Sequence, residues 1–87
     1  MIDLSIIIPV YNAAPSINRT LDSIFNQKTF YSIEVILIDD GSKDNSIEII
    51  KTRKEPNIIL LQQQNEGPSV ARNNGVKVAQ GRYCATL

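Results

Sequence analysis

The chain has 87 residues, room for one small core. Nine basic residues balance nine acidic ones, so no net field draws it to nucleic acid or to an anionic membrane surface. The single cysteine, Cys84, has neither a disulfide partner nor a histidine to join it in a zinc site, which fits a reducing, cytoplasmic compartment.

At the N-terminus Met1 leads straight to Asp3 and an apolar run that Pro9 interrupts, which is not a signal-peptide pattern. Leu4, Ile6, Ile7, Ile8 and Val10 make that run nearly continuous and mostly β-branched, as in a parallel strand buried on both faces. Pro15 and Ser16 then open a helix whose apolar positions Ile17, Leu21, Ile24 and Phe25 share one stripe. Ile33, Val35, Ile36, Leu37 and Ile38 form a second buried strand, ended by the turn-forming run Asp39, Asp40, Gly41, Ser42.

Asp44 or Asn45 caps the next helix, which carries Ile47, Ile49 and Ile50 and is expected to finish in the charged run from Lys51 to Glu55, before Pro56 and Asn57 break it. Ile58 to Leu61 is the third strand, and Gln62 to Asn65 carries the chain off its end. Pro68 suits the first turn of a third helix, with Ala71, Gly75, Val78 and Ala79 on a face of small residues and Gly81 as its stop. Arg82 to Leu87 begins a fourth strand. No apolar stretch approaches the roughly 20 residues that cross a bilayer.

Strands alternating with helices at this spacing imply right-handed βαβ units: an α/β fold, a parallel sheet with helices on both faces. The fourth strand would leave an open apolar edge, so residues 1–87 are expected to be part of a larger domain.

In open parallel sheets, ligands gather at the carboxyl ends of the strands. Three segments lie there: Pro9-Val10-Tyr11-Asn12, Asp39-Asp40-Gly41-Ser42 and Asn65-Glu66-Gly67. Tyr11 offers a flat ring for a base, and the Asp40 carboxylate can accept from a uracil imide or a ribose hydroxyl. The plainer alternative makes Tyr11 a cap on the sheet and Asp39 and Asp40 turn residues. Gly67-Pro68-Ser69 places backbone amides at a helix start, with Arg72 one turn in, where a phosphate fits; singly, Arg72 also reads as a solvated surface arginine. No G-x-x-x-x-G-K-[ST] loop is present and no G-x-G-x-x-G follows the first strand, so the ordinary triphosphatase and dinucleotide readings lose their main support.

Four blocks in register resemble family 2 glycosyltransferases of the GT-A fold: Ser5-Ile-Ile-Ile-Pro-Val-Tyr-Asn12, Leu21-Asp-Ser-Ile-Phe-Asn-Gln27, Glu34-Val-Ile-Leu-Ile-Asp-Asp-Gly-Ser42 and Asn65-Glu-Gly-Pro-Ser-Val-Ala-Arg-Asn-Asn-Gly75. The resemblance implies a Rossmann-like sheet, a nucleoside diphosphate sugar as donor (a UDP-sugar), and a glycan or lipid-linked acceptor in bacterial envelope polysaccharide synthesis. It implies roles for Pro9, Tyr11, Asp40 and Asp39 around the nucleoside, with Asn12 at the same strand end and Arg72 and Gly67 near the donor.

The family's metal-binding Asp-x-Asp, which holds magnesium or manganese, would fall just after Leu87, and the general base of an inverting transfer further on. Residues 1–87 are accordingly expected to be the N-terminal nucleotide-sugar-binding part of the enzyme, to bind no metal and to be inactive alone. Any membrane association, at the cytoplasmic face, would come through other segments. A binding module or remnant without catalysis is the alternative. A nucleotidyltransferase ranks lower, because the loop Tyr11-Asn-Ala-Ala-Pro15 holds neither glycine nor lysine.

Overall fold

The computed structural model describes residues 1–87. Its elements alternate as β1 (Leu4–Val10), α1 (Ile17–Phe25), β2 (Ile33–Asp39), α2 (Ser46–Lys51), β3 (Ile58–Gln62), α3 (Pro68–Val78) and β4 (Tyr83–Thr86). The four strands form one sheet, all neighbours parallel, in the order β3-β2-β1-β4. Right-handed crossovers dictate where the helices lie. The chain steps β1 to β2 to β3 in one direction, which puts α1 and α2 on the same face; the return to β4 on the far side of β1 sends α3 across the other.

The strand runs are apolar throughout because both faces are covered. On the α1 and α2 side, Ile8, Val10, Val35 and Leu37 meet Ile17, Leu21 and Ile50. On the α3 side, Ile7, Ile36 and Ile38 meet Ala71. Each buried Ile or Leu contributes about 1.5–3 kcal/mol. That matters most for α1, whose 9 residues are too few to hold a helix in isolation.

Three local expectations are corrected. The second helix stops at Lys51 and does not run to Glu55. Thr52 Oγ1 donates back to the Ile49 carbonyl, and Arg53 turns away to pair with Asp22 of α1 at 2.7 Å and Glu55 at 2.8 Å. On α3 only Ala71 and Gly75 of the small-residue face are buried, while Val78 is exposed because the helix ends there, Ala79 being already extended. Gly81 therefore does not stop the helix. It lets the chain approach β1, where a Cβ would lie 2.6 Å from the Ser5 amide nitrogen.

At that approach a buried polar cluster ties the start of β4 to the sheet. Ser5 Oγ donates to Glu34 Oε2 at 2.6 Å, the Gln80 amide donates to the same oxygen at 2.7 Å, and the Gly81 amide donates to Ser5 Oγ at 2.9 Å. The carboxylate is thus buried among donors, without a cation.

Candidate functional site

The register of β1 on β2 runs from Leu4↔Ile33 to Val10↔Asp39, so both strands end level. The Asp40 amide adds a last rung, donating to the Val10 carbonyl at 2.8 Å. Tyr11 and Asp40 therefore leave the sheet side by side. The turn from β3 into α3 closes the third wall. A cleft of about 380 Å³ results, lined by Pro9, Val10, Tyr11, Asp40, Asn65, Gly67 and Pro68. Tyr11 is 46% exposed, its ring available for stacking.

Of the residues singled out from the sequence, Pro9, Tyr11, Asp40 and Gly67 come together in this cleft, whereas Asn12, Asp39 and Arg72 do not line it. Asn12 has a left-handed backbone (φ 50). There it joins the two strand-end loops, its amide donating to Ser42 Oγ and its Oδ1 accepting from the Lys43 amide, both at 2.8 Å. The seam continues through Ala13 to Ser46 Oγ and Ala14 to Asp44 Oδ2. Asp44 also takes the Ser46 amide at 3.0 Å, so it, not Asn45, supplies the side-chain cap of α2. That bonding with Ser46, chiefly through the hydroxyl, holds the Asp44 carboxyl below its ordinary range.

Asp39 is buried and curls over its own turn, Oδ2 accepting from the amides of Gly41 at 3.1 Å and Ser42 at 2.9 Å; its Oδ1 is buried without a partner. Asp40 reaches the other way. Its Oδ1 accepts from Gln63 Nε2 at 2.8 Å and the Glu66 amide at 2.7 Å, and its Oδ2 from the Gly67 amide at 3.0 Å. The Gln63 amide first, then the Glu66 and Gly67 amides, hold this carboxyl below its ordinary value against the opposing effect of burial.

Gly67 sits at the N-cap of α3 with φ 96, a conformation only glycine adopts without strain. With the Glu66 and Gly67 amides committed to Asp40 and none on Pro68, the open donors of this helix end are the Ser69 and Val70 amides. Arg72 follows Pro68 by one turn on the same flank. Sequence reading gave Asp44 as a cap and Ser42 as part of the strand-end turn, but not their bonds across to the loop after β1, nor the part of Ser46 in them. It gave no role to Gln63, which stood only in a polar run after a strand, and Asn74 read equally well as helix surface.

These 87 residues gather no group of three carboxylate, thiol or imidazole side chains able to hold a metal ion. The two acids best placed by sequence are turned to opposite tasks, and Asp40 already accepts from three N–H donors. The residues present therefore do not fit a divalent ion. No helix is long and apolar enough to cross a membrane.

The model of the Glycosyl transferase family 2 matches residues 5–87. Over 84 residues the chain is 49% identical to the uncharacterized glycosyltransferase YibD of Escherichia coli K12, an alignment covering 94% of this chain and 24% of that protein. It is 44% identical over 89 residues to the minor teichoic acid biosynthesis protein GgaB of Bacillus subtilis 168, covering 98% of this chain and 10% of that one.

The crystal structure of S. aureus TarS 1–349 in complex with UDP-GlcNAc has a TM-score of 0.89 and 29% identity, covering 99% of this chain and 26% of that chain. The mannosyltransferase PcManGT from Pyrobaculum calidifontis, in complex with GDP-Man and Mn2+, has a TM-score of 0.78 and 27% identity over 88% of this chain and 24% of that chain. The chain thus spans about a quarter of the length of YibD and of both solved chains.

Proposed function

The chain belongs to the family 2 glycosyltransferases, and from that premise we propose that residues 1–87 form the nucleoside-binding part of a donor site for a nucleoside diphosphate sugar, a UDP-sugar. The observation that carries this is the cleft itself: an exposed tyrosine ring beside a buried carboxylate, at the carboxyl ends of adjacent parallel strands, with a helix N-terminus as the third wall. The ring stacks on the base, and Asp40 accepts an N–H from it. The open Ser69 and Val70 amides and Arg72 stand on the side of the diphosphate. Asn12 and Asp39 act at one remove, by fixing the loops that carry Tyr11 and Asp40.

In the whole protein the acceptor hydroxyl oxygen attacks the anomeric carbon; the bond from that carbon to the diphosphate oxygen breaks and the diphosphate leaves with the electron pair. The hydroxyl proton passes to a general base, and the configuration inverts. Both the base and the residues for a divalent ion, magnesium or manganese, belong to other parts of the protein, a reading supported by the Mn2+ in PcManGT. We assign none of these 87 residues a bond-making role, and purified alone they transfer no sugar. The acceptor is a glycan or a lipid-linked glycan, worked on from the cytoplasmic side; for a role in envelope glycan synthesis the support is the likeness to GgaB, a minor teichoic acid biosynthesis protein.

The test is UDP binding by the full-length protein. Tyr11→Ala is expected to weaken it about tenfold or more, since loss of base stacking on an aromatic ring costs about 1–3 kcal/mol. Unchanged affinity in a folded Tyr11→Ala protein would remove the ring from the site.

A further inference from the structure

Gln63 and Asn74 make a two-step amide relay that ends on Asp40, and neither lines the cleft. Asn74 Nδ2 donates to Gln63 Oε1 at 2.6 Å, and Gln63 Nε2 donates to Asp40 Oδ1 at 2.8 Å. The direction of the relay is fixed from its end. An ionised carboxylate only accepts, so Gln63 must turn its NH2 towards Asp40 and its carbonyl towards α3, where Asn74 must supply an N–H.

A carboxylate has about four acceptor positions, two on each oxygen. Oδ1 of Asp40 uses both, on Gln63 and the Glu66 amide, while Oδ2 uses one, on the Gly67 amide. One position is left, on Oδ2. We infer that Gln63, oriented by Asn74, is a specificity-determining positioning residue for the base of the donor. By filling Oδ1 it limits Asp40 to one N–H from the ligand.

A uracil- or thymine-type base presents one imide N–H flanked by carbonyl oxygens, and that single position satisfies it. A guanine-type edge presents adjacent N1–H and N2–H groups that call for both oxygens of one carboxylate. In this cleft one of those donors finds no acceptor on Asp40, which costs affinity. The architecture does not decide the base, since one solved neighbour holds UDP-GlcNAc and another GDP-Man. The choice therefore lies in local bonding of this kind. The inference rests on the nucleoside reading of the cleft.

The experiment measures dissociation constants of UDP and GDP by calorimetry for the full-length protein, Gln63→Met and Asn74→Ala. Methionine keeps the length of the side chain and removes the donor; alanine suits the interior of α3, so that variant folds. The native protein is expected to bind UDP at least about tenfold more tightly than GDP. Gln63→Met frees a position on Oδ1 and lowers that ratio about tenfold, and Asn74→Ala lowers it about threefold by releasing the amide.

Equal loss of UDP and GDP affinity in both variants, or an unchanged ratio in both, overturns the inference by reducing the relay to a structural brace. If Gln63→Met fails to fold, the ratio in Asn74→Ala decides by the same criteria. Native protein that binds GDP as well as UDP overturns this inference and the choice of a UDP-sugar, and leaves the nucleoside reading of the cleft standing. Native protein that binds neither overturns the nucleoside reading as well.

Discussion

Asp39 and Asp40 are adjacent in the chain, yet strand alternation turns them to opposite faces of the sheet. One serves its own turn and the other the loop before α3. The sequence allowed both acids to be placed at the end of a strand, because a buried apolar run stops there. Their different partners were not legible, since Gln63, Glu66 and Gly67 become neighbours of Asp40 only when β3 pairs with β2.

The lowered Asp40 carboxyl has a consequence for acid stability. A group whose folded pKa lies below its unfolded one stabilises the fold fully above the unfolded value, here near 3.8. That contribution is lost as pH falls through the folded value. Asp40→Asn is therefore expected to lower stability at pH 7 and to flatten the loss below about pH 4. Urea unfolding across pH 2 to 7 checks this, and parallel pH curves for the two proteins would contradict it.

At the scale of elements, the strands and three helices were readable from period and punctuation, but the helix ends were not. Lys51 ends α2 because Arg53 finds Asp22 across from it, a partner 31 residues away. Val78 loses its place on the buried face because α3 ends there, which spacing alone does not reveal.

The two glycines of this region act through space and not through backbone freedom. A Cβ on Gly75 would lie 2.7 Å from Ile7 Cγ2 and 2.8 Å from Ile38 Cδ1, which are side-chain methyls. One on Gly81 would strike the backbone nitrogen of Ser5 at 2.6 Å. Side chains yield more readily than a strand, so Gly81→Ala is expected to cost about 2–3 kcal/mol and Gly75→Ala less, about 1–2 kcal/mol after its gain in helix propensity. Denaturant midpoints rank the two; a Gly81→Ala protein as stable as the native one would dismiss the close approach.

Across the whole molecule the sheet is uneven. β2 is buried from Glu34 to Asp39 and paired on both sides, whereas every residue of β4 is exposed. Amide exchange is expected to be slowest in β2 and fastest in β4, because local opening follows buried contacts. Mass-resolved hydrogen exchange on the native protein reads this order, and comparable protection in both strands would refute it. The alternation of elements made the α/β class and two-sided covering legible, whereas the burial gradient emerges only with the strand order.

The pairing of β1 with β4 joins residues as far apart as Leu4 and Tyr83. During synthesis the first three strands and two helices emerge from the ribosome before α3 exists, and N-terminal parts fold first. Until α3 crosses, Ile7, Ile36 and Ile38 form a bare apolar face open to chaperones or to other nascent chains. The helix that covers this face also delivers Gly67 and Pro68 to the cleft. Completion of the cleft and covering of this apolar face are thus a single event.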